Sequence, residues 1–224
     1  MPEASGGKPI GLFGGTFDPV HFGHLRLAEE AAEHLGLARI RWIPAGQPGH
    51  REAPRVSSAQ RLEMVRLAIA GNPRFELDAS EVGADRPSYT VPTLERLRQV
   101  GNLGVYRPLV LLVGADAFAG LPDWHRWPAL FDLAHIAVAH RPGFPIDVTS
   151  LPSALAAIYR QRFSASPAAL ADTAAGCIVT FAMTQLDISA TKIRTLLVNG
   201  RSPRYLLPDA VIAYIQGTRL YSPP

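Results

Sequence analysis

His21 and His24 stand three residues apart behind a glycine turn, in the run Gly14-Gly15-Thr16-Phe17-Asp18-Pro19-Val20-His21-Phe22-Gly23-His24. Glycines lack a β-carbon, so the backbone can bend sharply there and come close to a ligand. Imidazoles on one face of a first helical turn can meet an anion, and the helix start adds free N–H groups and a partial positive charge. The chemistry this combination suits is phosphate binding. A second run, Ile188-Ser189-Ala190-Thr191-Lys192-Ile193-Arg194, offers related groups: Ser189 is a good N-cap, and Thr191, Lys192 and Arg194 fall in the first helical turns. Alone, that run reads equally well as a capped surface helix; beside the first run it reads as a second phosphate cradle.

Both runs need helix starts at the edge of a scaffold, and the apolar spacing supplies one. Residues 10–13 form an expected strand, followed through the glycine turn by a helix over about 23–35. Residues 39–44 alternate with period two and read as a strand; residues 45–56, rich in Gly and Pro, read as an exposed loop carrying His50 and Arg51. Ser57 or Ser58 then caps a helix to Ala70, with Arg61 and Glu63 expected to face water and Leu62, Val65, Leu67 and Ile69 partly buried. Further strands are expected at 75–77, 109–113, 135–139 and 177–181, and helices at 91–100, 153–163, 189–198 and 209–215. Residues 164–176, dominated by Ala, give no clear pattern. Alternating strands and helices predict an α/β, Rossmann-like fold: a mainly parallel sheet with helices on both faces. Ligands in such folds bind beyond the carboxyl ends of the strands, where strand order reverses. The glycine turn, the turn at Gly114-Ala115-Asp116 and the turn at His140-Arg141 each follow an expected strand and should converge there.

The bulk composition limits the partners. The chain has 224 residues, 47% hydrophobic and 18% charged, with a formal charge of +3. One domain over residues 9–221, behind a polar tail at 1–8, is expected. The small positive charge suits an anionic ligand, but no basic run reaches five residues, which argues against a nucleic-acid surface. Cys177 is the lone cysteine, so an internal disulfide and a cysteine-built zinc site are excluded and a reducing, cytoplasmic setting fits. Residues 1–8 lack the apolar core of a signal peptide, and no apolar stretch approaches the ~20 residues of a membrane helix. A zinc site on His21, His24 and Asp18 fits poorly: Pro19 and Gly23 intervene, and the glycine turn would have no purpose. No bound metal site is expected.

Together the two runs resemble the nucleotidylyltransferase superfamily, and more closely the bacterial nicotinate-nucleotide adenylyltransferases. Residues 13–24, 44–51, 87–90, 114–116, 122–124, 140–143 and 188–194 carry the resemblance in the family's order, and it spans residues 9–221. It implies transfer of AMP from ATP to nicotinate mononucleotide, with Mg²⁺ accompanying the ATP. By the same resemblance, Gly14, Gly15, Thr16 and Phe17 line the ATP cradle, and His21 and His24 meet its phosphates. His24, His21 and Arg194 would be the catalytic groups, with His24 foremost in stabilising the transition state; Ser189, Thr191 and Arg194, with Lys192 beside them, would bind the outer phosphates. Gly114 and Asp116 would border the adenosine. Trp124 would stack on the nicotinate ring beside Thr90 and His125, the last standing where the family often has tyrosine. His50 and Arg141 would meet the second substrate's phosphate, with Arg51 a weaker candidate. Asp18 is either a turn former before Pro19 or a group beside the ligands. His34, His135 and His140 are expected to be structural, Trp127 a core residue. Nicotinamide mononucleotide or phosphopantetheine as acceptor, and a non-catalytic nucleotide sensor, are the alternative readings.

Overall fold

The computed structural model describes residues 7–49, 53–84, 86–100 and 106–222. Among them, β1 (Ile10–Gly15), β2 (Arg39–Pro44), β3 (Phe75–Leu77), β4 (Leu109–Gly114), β5 (His135–His140) and β6 (Ile178–Ala182) form one sheet in the order β3-β2-β1-β4-β5-β6, every pairing parallel. Eight α-helices accompany them: α1 (Phe22–His34), α2 (Ser58–Ile69), α3 (Thr90–Val100), α4 (Ala115–Ala119), α5 (Leu130–Leu133), α6 (Ser153–Arg162), α7 (Ala190–Val198) and α8 (Asp209–Gly217). The expected Rossmann-like architecture is present.

Successive strand side chains point to opposite faces, so a strand covered on both sides must be apolar throughout. In β4, Val110 and Leu112 enter one core while Leu109, Leu111 and Val113 enter the other. The first core also takes the stripe Ala28, Ala31, Ala32 and Leu35 of α1 and its end, at helical spacing. The second takes Val91, Leu94 and Leu97 of α3. Ser57 starts α2 with a capping box: its Oγ accepts from Gln60 N at 3.2 Å, while its own N–H donates to Gln60 Oε1 at 3.0 Å.

Two local expectations are corrected. Arg61 does not face water; it is 1% exposed, because it lies on the same stripe of α2 as Met64, Val65 and Ile69. The segment after β4 is not an open turn, since α4 begins at Ala115 with Gly114 as its N-cap. The patternless residues 164–176 contain one short 3₁₀ turn, Pro167–Ala171, anchored by buried Leu170. His135 is structural as expected: Cys177 N donates to its Nδ1 at 3.0 Å, which leaves the proton on Nε2, 2.8 Å from Thr173 O.

The register creates the site. β1 pairs with β2 over its whole length but with β4 only from Ile10 to Leu12, opposite Leu109 to Leu111. Beyond that point the ladder between β1 and β4 stops and the two strand ends are free to part. The split lies where strand order reverses, the place such folds use for ligands.

Candidate active site

A cleft of about 650 Å³ occupies the split. Gly14, Gly15, Thr16, Phe17 and Asp18 of the glycine turn form part of its wall, with His24 of α1. Gly114 and Ala117 bound it from β4 and α4, Thr191 and Arg194 from α7. Glu81, Tyr89, Thr90 and Trp124 are also among its lining.

The glycine turn is shaped by an aromatic ring. A β-carbon on Gly15 would stand 2.8 Å from the Phe17 ring, so glycine is required there. Phe17 itself has φ of 51°, a left-handed conformation that costs an L-residue about 1–3 kcal/mol. Burial offsets that cost: the ring is 3% exposed and packs edge-on against Phe13 and His24, with centroids at 5.5 and 5.1 Å.

His24 is held by its neighbours. Its ring stacks on His21 with centroids 3.7 Å apart, and its Nδ1 accepts the His21 N–H at 3.2 Å. A β-carbon on Gly23 would meet His21 Nδ1 at 3.0 Å, so glycine lets the His21 ring lie across the helix start. Burial lowers the His21 pKa to about 4. His24 is also pushed well below the usual imidazole range, first by burial and then by adjacent His21. Both rings are therefore neutral near pH 7. With Nδ1 occupied as an acceptor, the proton of His24 sits on Nε2, the one N–H the ring can offer a ligand.

Asp18 is 5% exposed and fully engaged: Oδ2 accepts from Arg55 N at 2.8 Å and Oδ1 from Tyr221 Oη at 2.6 Å. Arg194 Nη1 donates to the Asp18 main-chain O at 2.7 Å and Nη2 to Thr191 Oγ1 at 3.2 Å. Beneath the turn, Arg61 donates to Thr16 O and to Gly46 O, each at 2.7 Å. Gly46 N donates in turn to Ser88 Oγ at 2.9 Å. The first glycine turn, the following loop and the segment before α3 are thus tied through main-chain groups.

The remaining candidates are dispersed. His21 is buried behind His24 and does not line the cleft. Ser189 caps α7 by accepting from Lys192 N at 3.2 Å, and with Lys192 it lines a separate hollow of about 370 Å³. Lys192 Nζ pairs with Asp187 at 2.6 Å on an exposed surface. Asp116 is exposed on α4, His125 is exposed with its ring 4.7 Å from Tyr89, and exposed Arg141 follows β5. None of these three lines the cleft: the turns after β1, β4 and β5 share the carboxyl edge of the parallel sheet, as expected, but only those at Gly14 and Gly114 border the cleft. His50 and Arg51 lie outside the described residues. Trp124 is half-buried against the second core and Trp127 packs there too. Sequence reasoning missed Arg61, Tyr89, Glu81 and Tyr221. Arg61 had a signal in its helical spacing; Tyr221 had none, lying 203 positions from its partner.

The sheet order, with a cleft at its switch point, defines a Rossmann-like protein, and residues 12–196 match the cytidylyltransferase-like family. The chain is 65% identical to the "Probable nicotinate-nucleotide adenylyltransferase" of Dechloromonas aromatica, covering 96% of this chain and 98% of that protein. It is 50% identical to the protein of the same name from Pseudomonas paraeruginosa, covering 97% and 99%. The fold matches the solved nicotinic acid mononucleotide adenylyltransferase of Plasmodium falciparum complexed with NaAD, with a TM-score of 0.68 at 15% identity over 96% of this chain and 98% of that one. The chain belongs to the nicotinate-nucleotide adenylyltransferases of the cytidylyltransferase-like family.

Proposed function

We propose that this chain transfers AMP from ATP to nicotinate mononucleotide, giving nicotinate adenine dinucleotide and pyrophosphate in NAD biosynthesis. The observation that carries the reading is one cleft whose wall includes His24, Thr191 and Arg194 together with Tyr89, Thr90 and Trp124. The first group suits a triphosphate, the second an aromatic ring.

The nucleophile is the phosphate of nicotinate mononucleotide, already anionic at neutral pH, so no general base is needed. An oxygen of that phosphate attacks the α-phosphorus of ATP. The bond from that phosphorus to its bridging oxygen breaks, and the pyrophosphate takes the electron pair. Catalysis then rests on holding two polyanions in line and stabilising charge as pyrophosphate leaves. His24 Nε2–H, the main-chain N–H groups of the glycine turn and the Arg194 guanidinium are the donors for that task. Thr191 adds a hydroxyl, and Ser189 serves by capping α7; Lys192 has its charge directed to Asp187. Trp124 stacks on the pyridine ring, with Thr90 beside it.

Mg²⁺ belongs in this reading as part of the substrate. Among the described residues no group of three or more His, Cys, Asp or Glu could hold a metal. Both oxygens of Asp18, the carboxylate in the cleft wall nearest the histidines in sequence, already accept hydrogen bonds. The ion would arrive on the triphosphate, bound by phosphate oxygens and water. We take residues 9–221 as one domain, supported by the single sheet. A cytoplasmic location fits the lone thiol of Cys177, and no described helix is long and apolar enough to cross a membrane.

The test is pyrophosphate release with ATP and Mg²⁺, offering nicotinate mononucleotide, nicotinamide mononucleotide and phosphopantetheine in parallel. The reading expects strong preference for the nicotinate compound. Preference for another acceptor would refute the substrate, and silence with all three from folded, ATP-binding protein would refute the reaction.

A further inference from the structure

We propose that Tyr221, in the segment after α8, is a positioning residue for Arg194: its hydroxyl holds the Asp18 carboxylate so that the Arg194 guanidinium stays free for the triphosphate. The inference rests on the reading of Arg194 as an ATP-phosphate ligand.

The geometry is a contest for one cation. The Asp18 carboxylate is buried and its Oδ2 lies 3.9 Å from Arg194 Nη1, too far for a hydrogen bond. A carboxylate and a guanidinium at this separation would ordinarily close to a charge-assisted contact at about 2.7–2.9 Å. Here the carboxylate is satisfied elsewhere, by the Tyr221 hydroxyl at 2.6 Å and the Arg55 N–H at 2.8 Å. Nη1 instead donates to the Asp18 main-chain O at 2.7 Å, which aims the guanidinium along the cleft wall without neutralising it. Were the phenol absent, Oδ1 would lose its donor, and among the described residues the cation standing closest to this carboxylate is Arg194, 3.9 Å from Oδ2. A guanidinium paired with Asp18 would be less available to phosphate oxygens.

The tail is built to deliver this hydroxyl. Arg219 and Tyr221 both adopt left-handed φ, 54° and 57°, which L-residues hold only when their surroundings impose it. The Tyr221 ring packs against the first core. Burial and the Asp18 carboxylate push the phenol far above its ordinary pKa, so it remains a donor at every working pH.

Tyr221→Phe keeps the ring and removes only the hydroxyl. The experiment measures dissociation constants of ATP with Mg²⁺ and of nicotinate mononucleotide, by calorimetry, for the full chain, Y221F, R194A and the double variant, with melting curves confirming the fold. Y221F is expected to weaken ATP binding about tenfold, the scale of one hydrogen bond to a charged group. Nicotinate mononucleotide binding should change several times less. The double variant should bind ATP no worse than R194A alone, because the phenol acts through that guanidinium. Equal loss for both ligands, no loss for ATP, or an additive loss in the double variant would overturn the proposal and leave Tyr221 as packing. Unchanged ATP binding in folded R194A would overturn it differently, by removing the underlying reading of Arg194. Should R194A fail to fold, R194K, which keeps the charge but not the two-pronged donor, takes its place.

Discussion

Replacing Arg61 with methionine should destabilise the protein and loosen the active-site wall together. The buried guanidinium donates to Thr16 O and Gly46 O, each at 2.7 Å. Hydrogen bonds to a charged group contribute about 1.5–3 kcal/mol each, so about 3–6 kcal/mol is lost before any compensation. Part returns, because a methionine has no charge to desolvate; burial already lowers the Arg61 pKa, with the Asp18 carboxylate opposing it. A net loss of about 2–4 kcal/mol follows, or about 4–16 °C in Tm for a chain of this size. Arg61→Lys can reach one carbonyl at a time and should lose about half as much. Calorimetric melting of both variants, with KM for each substrate, reads the effect. The two carbonyls belong to the glycine turn and the following loop, so KM should rise for both substrates in R61M. A Tm within about 1 °C of the parent, with both KM values unchanged, would refute the argument that this arginine clamps the turn.

His24→Ala should lower kcat by about two orders of magnitude or more with the fold intact, as expected on losing a donor to developing charge; steady-state kinetics beside a melting curve checks it. Trp124→Ala should raise KM for nicotinate mononucleotide while sparing ATP, and equal loss for both would mark the indole as packing. Acid should cost stability. Burial lowers the pKa values of His21, His24 and His135, so below about pH 6.5 the unfolded chain takes up protons that the native state refuses. Stability is complete above about pH 6.5 and falls toward the native values; for His21, with a native pKa of about 4, the loss is about 1.4 kcal/mol at pH 5.5. The Glu81 carboxyl, pushed up by burial, works in the opposite direction. Melting between pH 7.5 and 5.5 should show the decline, and His21→Asn should make it shallower.

The sheet was legible because its physics is local. The continuous apolar run of β4 and the alternation of β2 each state a strand and its burial, and the glycine turn before α1 states where a ligand can approach. His24, Thr191 and Arg194 were legible for the same reason: each sits in a short motif at a helix start. What escaped was long-range. Arg61 was assigned to water by its charge, although its spacing with Met64 and Val65 placed it on the buried stripe. Asp18 left two readings open because its partners, Arg55 and Tyr221, come from distant segments. The turn at Arg141 follows a strand as the others do, yet β5 lies one strand beyond the split, so strand order rather than local pattern decides which turns reach the cleft.

The most direct measurement is a crystal structure of the chain with nicotinate adenine dinucleotide. The dinucleotide should lie across the β1/β4 split, its pyrophosphate at His24 Nε2 and the N–H groups of the glycine turn, and its pyridine ring against Trp124. A dinucleotide bound elsewhere, or with its phosphates away from His24, would contradict that placement.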